Sequence, residues 1–181
     1  MNLLEAMGKV MVNLDEVSSK DLTADMIDYE NRIYEVFDSV QKEIAVISQS
    51  IIKKENFTTN GNGELTIPDL CINIIGVSDL NNRNLKYTEI GNTIYDLPVN
   101  SEVLIKYVSY PEKIDFDTPK TYEFEIPVIF QEPMIYGVCA GLCINDEPEL
   151  YTTYLDRYNV YMSNLLTQNK KANILGGVKL W

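Results

Sequence analysis

Three cysteines and a complete lack of histidine define the chemistry open to this chain. Cys139 and Cys143 stand four residues apart, which puts both thiols on one face of a helix, while Cys71 falls in a strand-like run. A thiol pair at that spacing suits a soft metal, but a closed site needs four ligands. Without histidine or a second cysteine pair the sequence does not supply them. The pair therefore reads as small buried hydrophobes, with no metal or cofactor expected. Losing imidazole also removes the commonest general base and nucleophile activator. Asp, Glu and Lys can catalyse, yet no paired-carboxylate, Ser-Lys or phosphate-loop pattern stands out, so the expectation is a protein that is not an enzyme.

The residues with the clearest pattern serve recognition. Tyr151, Tyr154, Tyr158 and Tyr161 form a stripe at helical spacing. Such a stripe reads as core or as a subunit seam, because tyrosine combines apolar area with a polar rim contact. The last thirteen residues, NKKANILGGVKLW, differ in kind from the rest. They hold Lys170, Lys171 and Lys179 of the 15 basic residues, while all 27 acidic residues precede them. Ile174, Leu175, Val178, Leu180 and Trp181 are too few and too terminal for a core of their own, and Gly176-Gly177 loosens the backbone. A basic, apolar-tipped segment behind an acidic body reads as an arm that orders against a partner.

A net charge of −12 disfavours a nucleic-acid reader held by phosphate contacts. It is compatible with an acidic wall past which DNA slides without sticking, and also with plain solubility. The most apolar stretch, 126–144, is interrupted by Gln131, Glu132 and Pro133 and reads as a buried helix rather than a membrane span. The opening Met1-Asn2-Leu3-Leu4-Glu5 lacks a basic region followed by an apolar run, so an intracellular origin is expected.

Three regions must position these residues. The first is helical. Leu3, Leu4, Met7, Val10, Met11 and Leu14 recur at three- and four-residue steps, and a second helix is expected from near Thr23 through about Lys54, roughly 45 Å long. From Phe57 to about Tyr110 the pattern becomes strand-like. Asn60-Gly61-Asn62-Gly63 reads as a hairpin connector, and further strands are expected at 71–77, 86–90, 93–97 and 103–110. Helices then return. One is led by Pro127 and runs toward Ile144, with Gly137 and Gly141 on one face for close helix approach. The next is capped by Asn145-Asp146 and carries the tyrosine stripe. The fold class predicted is α+β: N- and C-terminal helices (1–54 and 126–168) forming a helical bundle, a small antiparallel β-domain (55–125) inserted between them, and an extended C-terminal arm (169–181).

This order of elements resembles the head-to-tail connector adaptors of tailed bacteriophages. The residues that carry the resemblance are Leu65-Thr66-Ile67-Pro68-Asp69 before the Ile/Val run 72–77, the glycine-turn hairpin 89–94, and the apolar strand 103–111 ending in tyrosine and proline. The proline-led, small-residue helix 127–141 and the tyrosine-bearing helix 146–166 complete it. The resemblance spans nearly the whole chain and implies a virion protein assembled in the host cytoplasm. It implies a homo-oligomeric ring of twelve copies under the portal protein, which extends the DNA channel and presents a face to tail or stopper proteins. DNA would pass without specific binding and no membrane would be involved. The arm would dock on the portal through Lys170, Lys171, Ile174, Leu175, Val178, Lys179, Leu180 and Trp181, and Tyr151, Tyr154, Tyr158 and Tyr161 would form the subunit seam. Other neck or tail-completion (stopper) proteins, or an acidic intracellular binding protein that mimics nucleic acid, fit the same residues.

Overall fold

The computed structural model describes residues 1–14, 30–145 and 147–176, with the backbone alone described at 30–31 and 168–176. Within them the chain is α+β, with four helices and two small antiparallel sheets. It divides into two compact units, one made of 1–48 and 112–181, the other of 49–111.

In the first unit α1 (Leu3–Asn13) opens with a capping box. The Asn2 side chain accepts from the Glu5 N–H at 2.9 Å, and the Glu5 carboxylate accepts from the Asn2 N–H at 3.2 Å. Helices α2 (Glu30–Ser48) and α4 (Pro148–Gly176), like α1, pack on α3 (Val128–Cys143). Most of α3 is buried, including Phe130, Met134, Val138, Cys139 and Leu142, because neighbours cover it on several sides. Gly137 and Gly141 provide the close approach expected of them. A Cβ on Gly137 would lie 2.9 Å from Val40 Cγ1 and 3.2 Å from Tyr158 Cδ2; one on Gly141 would lie 2.6 Å from Val36 Cγ1.

Three expectations for this unit are corrected. The second helix ends at Ser48 rather than near Lys54, with Gln49 in the left-handed region (φ 49°) as its stop, and Lys53 and Lys54 belong to a strand. Its expected opening near Thr23 lies outside the described residues. At the other end α4 continues through Gly176, so the first eight residues of the expected extended arm have helical backbone. The segment 112–125, expected to belong with the strands, is tied into the helical unit. The Ile114 N–H donates to Asp38 Oδ1 at 3.0 Å, the Phe124 and Phe37 rings stand 5.6 Å apart, and the Leu3 N–H donates to the Tyr122 carbonyl at 2.8 Å.

The second unit holds sheet β1–β6–β3 and sheet β2–β5–β4, with strands β1 (Ile52–Thr58), β2 (Leu65–Thr66), β3 (Cys71–Asp79), β4 (Thr88–Ile90), β5 (Thr93–Tyr95) and β6 (Glu102–Ser109). Its core joins Leu65, Ile67, Ile74, Val77, Ile94, Leu97, Val103, Ile105 and Tyr107. The tight hairpin at Gly91-Asn92 forms as expected, with Ile90 paired to Thr93 and Gly91 at φ 60°. The Asn60–Gly63 turn does something else. Strand β1 pairs with β6 and β2 with β5, so the turn carries the chain from one sheet to the other instead of closing a hairpin. It is fixed by its own polar groups: Asn60 Oδ1 accepts from the N–H of Asn62 and of Glu64, both at 2.9 Å, and the Gly63 carbonyl accepts from the Leu97 N–H at 3.1 Å.

Candidate docking surfaces

The tyrosine stripe is split by the geometry of α4. Tyr154 and Tyr158 are each 6% exposed and turned into the helical unit. The Tyr154 hydroxyl donates to the Asn13 carbonyl at the end of α1, and the Tyr158 hydroxyl donates to Glu43 Oε1 of α2 at 2.9 Å. Burial and, behind it, the Glu43 carboxylate push the Tyr158 phenol above its ordinary range. These two residues hold α4 to the helices of its own chain, which corrects their expected place in a seam between copies. Tyr151 is half-buried and lines a groove of about 350 Å³ with Glu35, Val36, Val40, Leu155 and Asn159. Tyr161 is 41% exposed, with its ring 5.5 Å from that of Tyr136.

Arg157 was not singled out by the sequence reading. Its guanidinium carbon sits 5.8 Å from the ring centroids of both Tyr136 and Tyr154. Such a cation over aromatic faces is held in place by the ring quadrupoles. The local half of this arrangement was legible, since Tyr154, Arg157 and Tyr161 follow one another at steps of three and four. The Tyr136 half depends on how α3 and α4 pair.

Of the expected arm residues, Lys170, Lys171, Ile174 and Leu175 lie on the helical backbone of α4, with side chains outside the described residues. Val178, Lys179, Leu180 and Trp181 lie outside them altogether.

Cys139 and Cys143 match their reading as small buried hydrophobes, while Cys71 is half-buried at the start of β3. Cys139 and Cys143 are buried on α3, and burial, reinforced by neighbouring Cys143, pushes the Cys139 thiol up to about 12. Among the described residues no group of three or more Cys, Asp or Glu side chains is arranged to hold a metal ion, and none of their helices is long and apolar enough to cross a membrane. A polar cluster joins α2 to the 112–125 segment. Gln41, fully buried, donates through Nε2 to the Glu112 carbonyl at 2.8 Å, and the Glu112 N–H donates to Glu125 Oε1 at 2.7 Å. Burial, with Glu125, Glu112 and Asp38 nearby, raises the Tyr122 phenol to about 12. These bonds tie a loop to a helix, and the Glu125 and Asp38 carboxylates are engaged with backbone N–H groups and, for Asp38, with Lys42.

No protein-family model matches this chain, and comparison with curated proteins finds no match.

Proposed function

We propose that this chain is a structural virion protein, an adaptor of the head-to-tail connector. Copies form a ring, twelve in the family it resembles, beneath the portal protein, extend the DNA channel and present a face to tail or stopper proteins. In this reading the four helices act as a bundle, and the β unit is a domain inserted into it. The observation that carries it is the division of the chain: one helical unit is assembled from both ends, 1–48 and 112–181, around a single all-β unit, 49–111. This is the element order on which the resemblance rests. Charge adds support. A net of −12 suits a wall along which DNA slides without adhering, and the only stretch dense in lysine and free of acid closes the sequence. The segment from Lys170 to Trp181 is then the portal-docking element, with Leu180 and Trp181 as apolar anchors. The role is structural rather than catalytic.

Negative-stain imaging of the chain, alone and mixed with the portal encoded beside it, tests the reading. A ring stacked coaxially on the portal is expected. A chain truncated after Gly176 should keep its unfolding midpoint and lose attachment, because five terminal residues are too few to form a core of their own. Particles that ignore the portal at ring-forming concentrations would move the assignment to another neck component or to an acidic binding protein.

A further inference from the structure

Two buried polar atoms of the helical unit are not satisfied by the chain itself. Among the described residues, Gln41 Oε1 and the Tyr122 hydroxyl are side-chain oxygens shut off from solvent with no hydrogen-bond partner in the protein. A buried polar group left unpaired is costly enough that native folds almost always satisfy it. The surroundings of the two atoms coincide. The Gln41 amide, fully buried, donates through Nε2 to the Glu112 carbonyl at 2.8 Å, and the Glu112 N–H donates to Glu125 Oε1 at 2.7 Å. The Tyr122 phenol lies near the carboxylates of Glu125, Glu112 and Asp38. Its ring stands 5.8 Å from that of Phe124, which in turn stands 5.6 Å from Phe37. Phe37 and Asp38 come four and three residues before Gln41 on the same face of α2, so ring and amide both border the space between that face and the 112–125 segment.

We propose that this space is a binding site for one buried water, which accepts from the Tyr122 hydroxyl and donates to Gln41 Oε1. The chemistry of the two atoms selects the ligand. One is a donor in need of an acceptor, the other an acceptor in need of a donor. They would satisfy each other if they met, and they do not, so the gap exceeds a single hydrogen bond. Turning the amide over would break its bond to the Glu112 carbonyl. A metal ion would engage oxygen lone pairs and leave the phenol proton unpaired. The Glu125 N–H, close to the phenol oxygen, likewise reaches only a lone pair. An anion would enter the field of the Asp38, Glu112 and Glu125 carboxylates. A water meets both demands, and its second proton is left for one of those carboxylates, giving about the three bonds usual for buried water. The joint adds to the direct bonds at Glu112 and Ile114 and holds the aromatic part of the 112–125 segment to α2. It lies within the helical unit and does not depend on what the chain assembles with.

Water-oxygen magnetic relaxation dispersion of the full chain tests it, with Tyr122→Phe, Gln41→Leu and their combination as variants. The wild type should hold one long-lived water more than the double variant, and an equal number in both overturns the site. In urea unfolding the two substitutions should be non-additive: the equilibrium constant of the double variant should differ from the product of the single effects by at least about threefold, because both changes act on one water. Agreement to within about 1.5-fold overturns the bridge. Unfolding midpoints of the wild type should be equal in sodium, potassium and choline chloride, and a rise with one small cation alone would replace the water by a metal ion. Should the double variant not fold, a crystal structure of the wild type decides: a solvent peak within hydrogen-bond distance of both atoms sustains the site, and a direct bond between them, or no peak, ends it.

Discussion

Substituting Gly141 by alanine probes a close approach of α2 to α3 in the first unit. The added methyl would stand 2.6 Å from Val36 Cγ1, about 1 Å inside ordinary carbon–carbon contact. Val36 is short and stiff at χ1, so it cannot swing aside, and relief requires α2 to shift on α3. Overpacking of this kind costs about 1–3 kcal/mol, while alanine in a helix interior is worth about 1 kcal/mol over glycine. Gly141→Ala should therefore destabilise the helical unit by about 1 kcal/mol. In a Val36→Ala background the obstructing atom is gone, and the same substitution should stabilise by about 0.5–1 kcal/mol. Urea unfolding of the four-member cycle, followed by far-ultraviolet circular dichroism, would read a coupling of about 1–3 kcal/mol. Gly8→Ala is the internal standard: a Cβ there meets nothing within 4 Å, so it should stabilise by about 0.5–1 kcal/mol whatever residue 36 is. If Gly141→Ala and Val36→Ala prove additive to within about 0.5 kcal/mol, the close approach is absent and the packing of α2 on α3 is misassigned.

In the β unit, Gly63 combines φ 73° with a Cβ position 2.1 Å from the Leu97 carbonyl oxygen. Gly63→Ala should thus cost at least about 2 kcal/mol in urea unfolding, and a loss under about 0.5 kcal/mol would refute the turn geometry. Alkaline pH should destabilise the helical unit, with the sign set by Cys139 and Tyr122, both raised to about 12 in the fold. The unfolded chain releases these protons from about pH 9 for the thiol and 10 for the phenol while the native state retains them. Stability is therefore complete below about pH 9 and falls as pH climbs toward 12. Unfolding midpoints measured across that window should decline less steeply in Tyr122→Phe, and an identical slope would exclude Tyr122 as a contributor.

Element type was legible wherever local periodicity ran undisturbed. Val103, Ile105 and Tyr107 alternate into the β core, and Gly91-Asn92 dictates its own turn. The misreadings share a cause. Ile51 extends an apolar helical rhythm beyond Ser48, and only the pairing of Ile52–Thr58 with β6, about fifty residues away in sequence, makes that stretch a strand. Asn60–Gly63 carries the residues of a hairpin turn, yet the partner of each flanking strand is decided by distant chain. The tyrosine stripe has the spacing of one face, but spacing does not say whether that face meets its own chain or another copy. Its ties to Asn13 and Glu43 link positions more than a hundred residues apart, which no local pattern can report.

The length of α4 changes how its C-terminal residues can act. Tyr136 lies against Tyr161, and Gly137 against Tyr158, so α3 and α4 run antiparallel in a fixed register. Counting back along α3 from these contacts, its first residue, Val128, falls opposite about residue 168. The last turns of α4, which bear Lys170 and Lys171, therefore run on the order of 12 Å past the start of their partner helix. A segment built this way projects from the body on a preformed rod. A flexible arm of thirteen residues would lose conformational freedom at each position on docking, at about 1–2 kcal/mol per residue, whereas a helix has surrendered most of it beforehand. If the C-terminal segment is the portal-docking element proposed above, Lys170 and Lys171 reach their partner on helix already formed, and docking should cost less freedom than it would for an unstructured tail of the same composition.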